Sequence, residues 1–445
     1  MLTIGFATTM SGRWPRELPE QRRAEYGAFV KANFPKARIV EADGVVNSPG
    51  DVAAAVQKLK TGGIDLLVMV YGAFTGDDIP TVMAQELRVP IVLWAPYEPP
   101  FDGGRLLANA LVAATMNAAS LGRLGLASHF IYGGIDEPRA VAELASLVEA
   151  YTVVRTMNGS LLGLFGYRPT AFYNSAFDEG LIRRTFGIRM EETDLKVVFD
   201  VMDALDPRDV EEDVAKISGR FDTANVPEGY LENHSRLYLA LGKLMGDQGY
   251  HYATLKCWPE MGALKTTPCA VLGRLADDGK LIGCEGDVDA MLAMIMQNIL
   301  TGTPGFITDM INIDEKENTL TYWHCGNPAP SIVDASQPCQ MCNHPLAGQG
   351  TALWSSLKEG PITSARLCNI DGVYKLFVSS GMGVPTRRNT RGSMVNVRIK
   401  TPVRDFVYEI VRRQVPHHYS LVWGDVGESM KLTAKLLGLE VIELS

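Results

Sequence analysis

Three stretches gather side chains able to do acid–base or metal chemistry. The first is GCEGDVDAM (283–291), where Glu285, Asp287 and Asp289 fall within five residues, directly before the apolar run MLAMIMQNIL. The second is KCWPEMG, where Pro259 ends a strand-like run and leaves Glu260 at its carboxyl end. The third is VPHHYSLVWGD, where His417 and His418 precede a strand and Pro416 fixes the approach. Carboxylates with one imidazole form a ligand set that suits Mn2+ or a similar hard ion better than a thiolate-preferring metal. Each stretch also has an ordinary reading. Asp287 or Asp289 is a preferred helix N-cap, favoured by the helix dipole. Glu260 and the histidine pair are residue types that usually sit in solvent. A cap accounts for one of the three acids and leaves two.

These residues need strands and helices to bring them together. The first third of the chain alternates strand and helix: LTIGFAT, RELPEQRRAEYGAFVKA, ARIVEAD, SPGDVAAAVQKLKTGG, IDLLVMVYG, DDIPTVMAQELR, VPIVLWAP and FIYGG. Ser48 reads as the N-cap of the second helix, with Pro49 at its first position and Gly62 past its end. Alternation of this kind implies a parallel sheet, with ligands met beyond the carboxyl ends of its strands. Trp94, just after a strand, is placed to meet a ligand or to fill an aromatic–proline loop. A second alternation begins near Ser160 and runs through HYATLKCW. After residue 302 strand-like pieces predominate, separated by Gly, Pro and Asn turns, and the chain closes with YSLVWG and the helix ESMKLTAKLLG. The expected fold is α/β: two doubly wound parallel-sheet domains, 1–155 and 156–280, followed by a mainly β domain, 281–445.

Composition narrows the function classes. The chain has 445 residues, 46% hydrophobic and 21% charged, as in ordinary globular proteins. A net charge of -9 offers no general attraction to nucleic acid or to an anionic membrane. No export signal is visible and the apolar runs are too short to cross a bilayer, so a cytoplasmic protein is expected. The seven cysteines read as reduced thiols rather than a disulfide framework. Cys339, Cys342 and His344 in QPCQMCNH make half of a zinc site, and a reduced loop is favoured over a structural ion. No phosphate-binding loop of the GxxxxGK[ST] or GxGxxG type is present.

The ordered stretches resemble the L-fucose isomerase family, related to the L-arabinose isomerases. CEGDVDAMLAMIMQNILTGT, LFGYRPTAFYNSAFDEGLIRRTFGIRMEETDL and VPHHYSLVWGDVGESMKLTAKLLGLEV carry the resemblance. It implies an L-fucose isomerase-like fold and a metal-dependent aldose–ketose isomerase working through an enediol. Glu260, Asp287 and His418 match the family's metal ligands, typically of Mn2+, and Glu260 and Asp287 double as the catalytic acid–base groups. His418 is favoured over His417 because it keeps the distance to Gly424. Glu285 is left undecided, and Asp289 is left to cap or solvate the helix start. The resemblance places His324 at a substrate-contacting position and Arg13, Arg16 and Trp94 where a neighbouring subunit's site is completed; His417, beside His418, is a further candidate for contact with substrate. It implies a sugar substrate, neutral or anionic (a sulfonated glucose included), and a homo-oligomer, with a hexamer as one such assembly. The alternatives are a non-catalytic sugar-binding protein and a metal-dependent aldolase or hydrolase.

Overall fold

The computed structural model describes residues 1–227 and 229–444, in two compact units, Met1–Arg155 and Thr156–Ser445. In the first unit strands β1 (Thr3–Thr9), β2 (Arg38–Val46), β3 (Leu66–Tyr71), β4 (Ile91–Ala95) and β5 (Ser128–Tyr132) form one parallel sheet, in the order β2-β1-β3-β4-β5. Strands β3 and β4 are buried along their whole length, as expected where helices cover a parallel sheet. The second helix, Pro49–Gly62, begins as its sequence predicts: the Ser48 side chain accepts from the Asp51 N–H. It ends one residue later than expected. Gly62 is the last helical residue, packed where a Cβ would meet Val40, and Gly63 takes the left-handed cap at φ 62°.

The second unit holds two sheets. Strands β6 (Leu161–Phe165), β7 (Arg189–Thr193), β9 (Tyr252–Leu255) and β10 (Ile282–Gly283) pair in parallel, in the order β10-β9-β6-β7. A ten-stranded sheet takes β8 (Asp222–Asn225), β11 (Phe306–Asp314), β12 (Thr319–His324), β13 (Gln340–Cys342), β14 (Ala352–Ser356), β15 (Gly360–Ile370), β16 (Val373–Val384), β17 (Ser393–Arg398), β18 (His418–Trp423) and β19 (Glu440–Glu443). Most of its pairings are antiparallel. Strand β10 pairs back with β9 and β8 joins the large sheet, so both sheets draw on chain from either side of residue 280.

One helix ties these sheets to the site. Val288–Thr301 is buried on every face from Val288 to Gln297, and it contacts both β15 and β18. Its apolar side chains each contribute about 1.5–3 kcal/mol on burial. Gln297 fixes its position along the sheet: Nε2 donates to the Thr363 and Ser420 carbonyls at 2.9 Å each, and Oε1 accepts from Ser420 Oγ at 2.5 Å. Ser420 lies two residues beyond His418, so the contact that satisfies a buried amide also aligns the helix with the histidine strand.

Candidate active site

The site is built on the turn that starts this helix. Glu285 and Gly286 both take left-handed backbone, at φ 58° and 64°. Gly286 is required there, since a Cβ would lie 2.3 Å from the Tyr167 carbonyl oxygen. The Gly286 N–H donates to the Leu255 carbonyl at 2.9 Å, which seats the turn over the carboxyl ends of β6 and β9.

Asp287 follows, fully buried, and is the N-cap: its Oδ1 accepts from the Ala290 N–H at 2.9 Å. Its Oδ2 lies 2.9 Å from His418 Nδ1 and accepts from Ser175 Oγ at 3.4 Å. Arg366, also fully buried, sets Nη1 2.8 Å from Asp287 Oδ1. That contact is an ion pair rather than an aligned hydrogen bond, since none of the three Arg366 guanidinium nitrogens meets hydrogen-bond geometry. Burial pushes the Asp287 carboxyl up, but the Arg366 charge and the His418 contact outweigh it and hold the group well below the ordinary carboxylate range.

His418 opens β18 opposite Asp309 of β11, with Nε2 3.7 Å from Asp309 Oδ1 and 3.4 Å from Glu285 Oε2. Burial opposes a charged ring, yet the hydrogen bonds and charges of Asp287 and Glu285 push His418 up to about 10. The field among these carboxylates therefore favours positive charge. Glu285, His324 and His418 bring one ligand atom each within 4.8 Å of one another, and so do Asp309, His417 and His418. Buried His324 Nδ1 and Asp309 Oδ1 have no hydrogen-bond partner. Orphaned donors, imidazoles and carboxylates that converge fit a divalent cation of the hard or intermediate kind.

The other expected residues are spread more widely. Glu260 opens a short helix, Glu260–Ala263, after the strand ends at Leu255, and ion-pairs with Lys256 at 2.5 Å. Its side chain is 39% exposed, yet Oε2 points inward, buried without a partner. Lys256 and Glu260 line one cavity of about 780 Å³. Cys257, Trp258 and Pro259 line another of about 410 Å³, together with Glu285 and His324. Among the described residues, the donor groups that converge do not include Glu260. His417 is exposed, with Nδ1 2.9 Å from Asn174 Nδ2 and its ring 4.0 Å from that of His418.

In the first unit Arg13 and Arg16 are exposed in the segment between β1 and the helix Glu17–Asn33. Trp94 is fully buried: its Nε1 donates to the Gly133 carbonyl at 2.9 Å and its ring packs edge-on to Tyr26 and Phe29. Asp289 differs from the sequence reading. Asp287 is the cap, and Asp289 is buried, accepting from Tyr374 Oη at 2.7 Å, with burial pushing it up to about 7. Cys339 and Cys342 belong to no converging donor group among the described residues. Arg366 and Asp309 were not anticipated. An arginine inside ITSARLCNI, a strand buried from Ile362 to Cys368, was the available signal.

Residues 5–103 match the fucose/sulfoquinovose isomerase N-terminal domain, and residues 323–445 match the L-fucose isomerase C-terminal domain. A sulfoquinovose isomerase of Priestia aryabhattai is 24% identical over 426 residues, 95% of each chain. One of Alkalicoccus urumqiensis is 25% identical over 403 residues, 90% of each. One of Clostridium sp. (strain MSTE9) is 28% identical over 387 residues, 84% of this chain and 85% of that protein. A solved arabinose-binding component of an ABC transporter from Shewanella sp. ANA-3 aligns with a TM-score of 0.17 and 11% identity, too little to bear on the fold. With both ends of the chain matched to one family and its relatives aligned nearly end to end, the protein belongs to the L-fucose isomerase family of aldose–ketose isomerases.

Proposed function

We propose that this protein is a divalent-metal-dependent isomerase that converts a sulfonated aldose to its ketose through an enediol. The substrate class follows the curated relatives, which are named sulfoquinovose isomerases. The observation that carries the metal reading is the buried pair of Asp287 Oδ2 and His418 Nδ1, 2.9 Å apart. This is the hydrogen-bonded distance and also the spacing of two neighbouring donors on one ion, with bonds of about 2.1 Å each. Glu260, Asp287 and His418 are proposed to hold the ion, in keeping with the family; the buried, partnerless Oε2 of Glu260 supports its part. Convergence of Glu285, His324 and His418 within 4.8 Å favours a second arrangement, in which Glu285 takes the place of Glu260. Either way His418 is shared. Mn2+ suits both donor sets.

A bound divalent cation supplies stabilisation for negative charge on the substrate oxygens. The chain's own groups move the protons. A carboxylate, Glu260 or Asp287, removes the proton from C2 and delivers it to C1, while a second proton passes from O2 to O1, so that atoms and charge balance. Arg366 keeps Asp287 in the carboxylate form this task needs. The helix Val288–Thr301, locked to β18 through Gln297, keeps Asp287 and His418 in register. Helices wound on both faces of the parallel sheets would leave the strand ends open to the sugar. Arg13 and Arg16 are proposed to meet an anionic substituent in a neighbouring subunit's site, with His324 and His417 near the sugar in their own subunit and Trp94 acting only by supporting its loop. A cytoplasmic homo-oligomer, such as a hexamer, remains part of the proposal. Among the described residues no helix is long and apolar enough to cross a membrane.

NMR of reactions with neutral and anionic aldoses tests this reading. Ketose formation from a sulfonated aldose, with hydrogen transferred from C2 to C1 or exchanged with solvent, is expected. Carbon–carbon cleavage, or binding with no product from any aldose, would overturn it.

A further inference from the structure

A second donor set, of different chemistry, lies on the other side of Glu285. Strand β10 pairs in parallel with β9, Ile282 beside Ala253 and Gly283 beside Thr254. Cys284 therefore leaves β10 alongside the end of β9, and Cys257 lies two residues past Leu255, where that strand stops. The two sulfurs and a Glu285 carboxylate oxygen all lie within 4.8 Å of one another. Two thiolates sharing one tetrahedral ion through bonds of about 2.3 Å stand about 3.8 Å apart, within that limit. Cys284 is buried and Cys257 half-buried, and both line the cavity of about 410 Å³, so an ion has a route in. The isomerisation described above uses neither thiol.

We infer that Cys257, Cys284 and Glu285 form a site for a soft divalent cation of the Zn2+ or Cd2+ type. Thiolate sulfur selects such ions, whereas the imidazole and carboxylate donors around His418 suit a harder one. On binding, the two thiols give up their protons to the buffer. The ion takes two sulfurs and one carboxylate oxygen, and its fourth position faces the cavity. The site draws on a carboxylate that also faces His418, so the two cation positions share Glu285. The two thiols come from segments far apart in sequence, which is why no CxxC spacing announces them.

The test uses the full-length, reduced protein and Cd2+ alone. Thiolate-to-cadmium charge-transfer absorption in the ultraviolet should saturate at one equivalent per chain. The band should be lost in Cys257→Ser and in Cys284→Ser, and kept in the C339S/C342S double variant. Survival of the band in C257S/C284S, or its loss in C339S/C342S, overturns the inference. Should the serine variants fail to fold by circular dichroism, alkylation of the unaltered protein decides. Cd2+ should protect Cys257 and Cys284 from iodoacetamide, read by peptide mass spectrometry. Equal labelling with and without Cd2+, or protection confined to Cys269 and Cys325 of the same cavity, contradicts it.

Discussion

Arg366→Met should cost more stability at neutral pH than in acid. The guanidinium and the Asp287 carboxylate are both fully buried and 2.8 Å apart, so solvent does little to screen the pair. Removing one partner of such a pair costs about 3–5 kcal/mol, because the remaining charge is left buried and uncompensated. His418 still contacts Asp287 Oδ2 in the variant, which places the expectation near the lower end. At about 2 °C per kcal/mol for a unit of this size, the melting temperature of the second unit should fall by about 6 °C at pH 7. The pH dependence follows from the sign of the shift. With Arg366 present, the Asp287 carboxyl is depressed, so its stabilisation is present above the unfolded value near about 4 and is lost only as pH falls through the folded one. Without Arg366, burial is opposed by His418 alone and the carboxyl moves up from its native value. The gap between native protein and variant should then open as pH rises from about 4 to 7 and shrink on acidification. Thermal unfolding by circular dichroism from pH 4 to 8, with the D287N/R366M pair completing a double-mutant cycle, reads this out. Melting of R366M within about 2 °C of the native protein at pH 7, or additive effects in the cycle, would refute the reasoning.

Other consequences are open to measurement. Glu260→Gln and Asp287→Asn should each cut turnover by about 10²-fold or more with the circular dichroism spectrum retained, while Glu285→Gln has a smaller effect; the reverse ranking of Glu260 and Glu285 moves the ligand role to Glu285. Gly286→Ala should lose at least ~2 kcal/mol, since a left-handed backbone and a carbonyl oxygen 2.3 Å from the new Cβ act together. Gly279→Ala, left-handed but with open space around it, should lose only ~1 kcal/mol, and equal losses would count against the packing described. His234, buried between Arg274 Nη1 at 3.0 Å and Thr351 Oγ1 at 2.7 Å, is held neutral by burial down to about 3. Its folded value is depressed, so it withdraws stability as pH falls from 6.5 towards 3, by several kcal/mol in all; His234→Gln should flatten that limb of a stability–pH curve, and an unchanged slope would contradict this.

Much of the fold was legible because its signals are local. Ser48 and Pro49 mark a helix start, and the all-apolar run after Asp287 marks a buried helix. Pairing between distant strands was not legible, and the site is made from it. Asp309 faces His418 because β11 and β18 lie antiparallel in one register, and Arg366 reaches Asp287 from β15 on the other side of β18. In sequence, Arg366 reads as the polar residue of an alternating strand, although both faces of that stretch are covered. Trp94 shows the converse. The sequence places it just beyond a strand, but it is part of β4, and a strand buried on both faces sends every side chain into the core. The three acids of the GCEGDVDAM turn take three environments. Asp287 is held down by Arg366, Asp289 is raised beneath Tyr374, and Glu285 is partly open beside His418. Spacing alone could not separate them, since the differences come from β15, β16 and β18.

The measurement that bears most directly on the central claim is Mn2+ titration of chelator-stripped protein, following bound ion by electron paramagnetic resonance and ketose formation from a sulfonated aldose in the same samples. Turnover should be absent without the ion and rise in step with occupancy of a site at His418, and His418→Gln should lose both the high-affinity signal and the turnover. Full turnover in chelator, or a His418→Gln variant that binds Mn2+ and turns over like the native protein, would contradict the account.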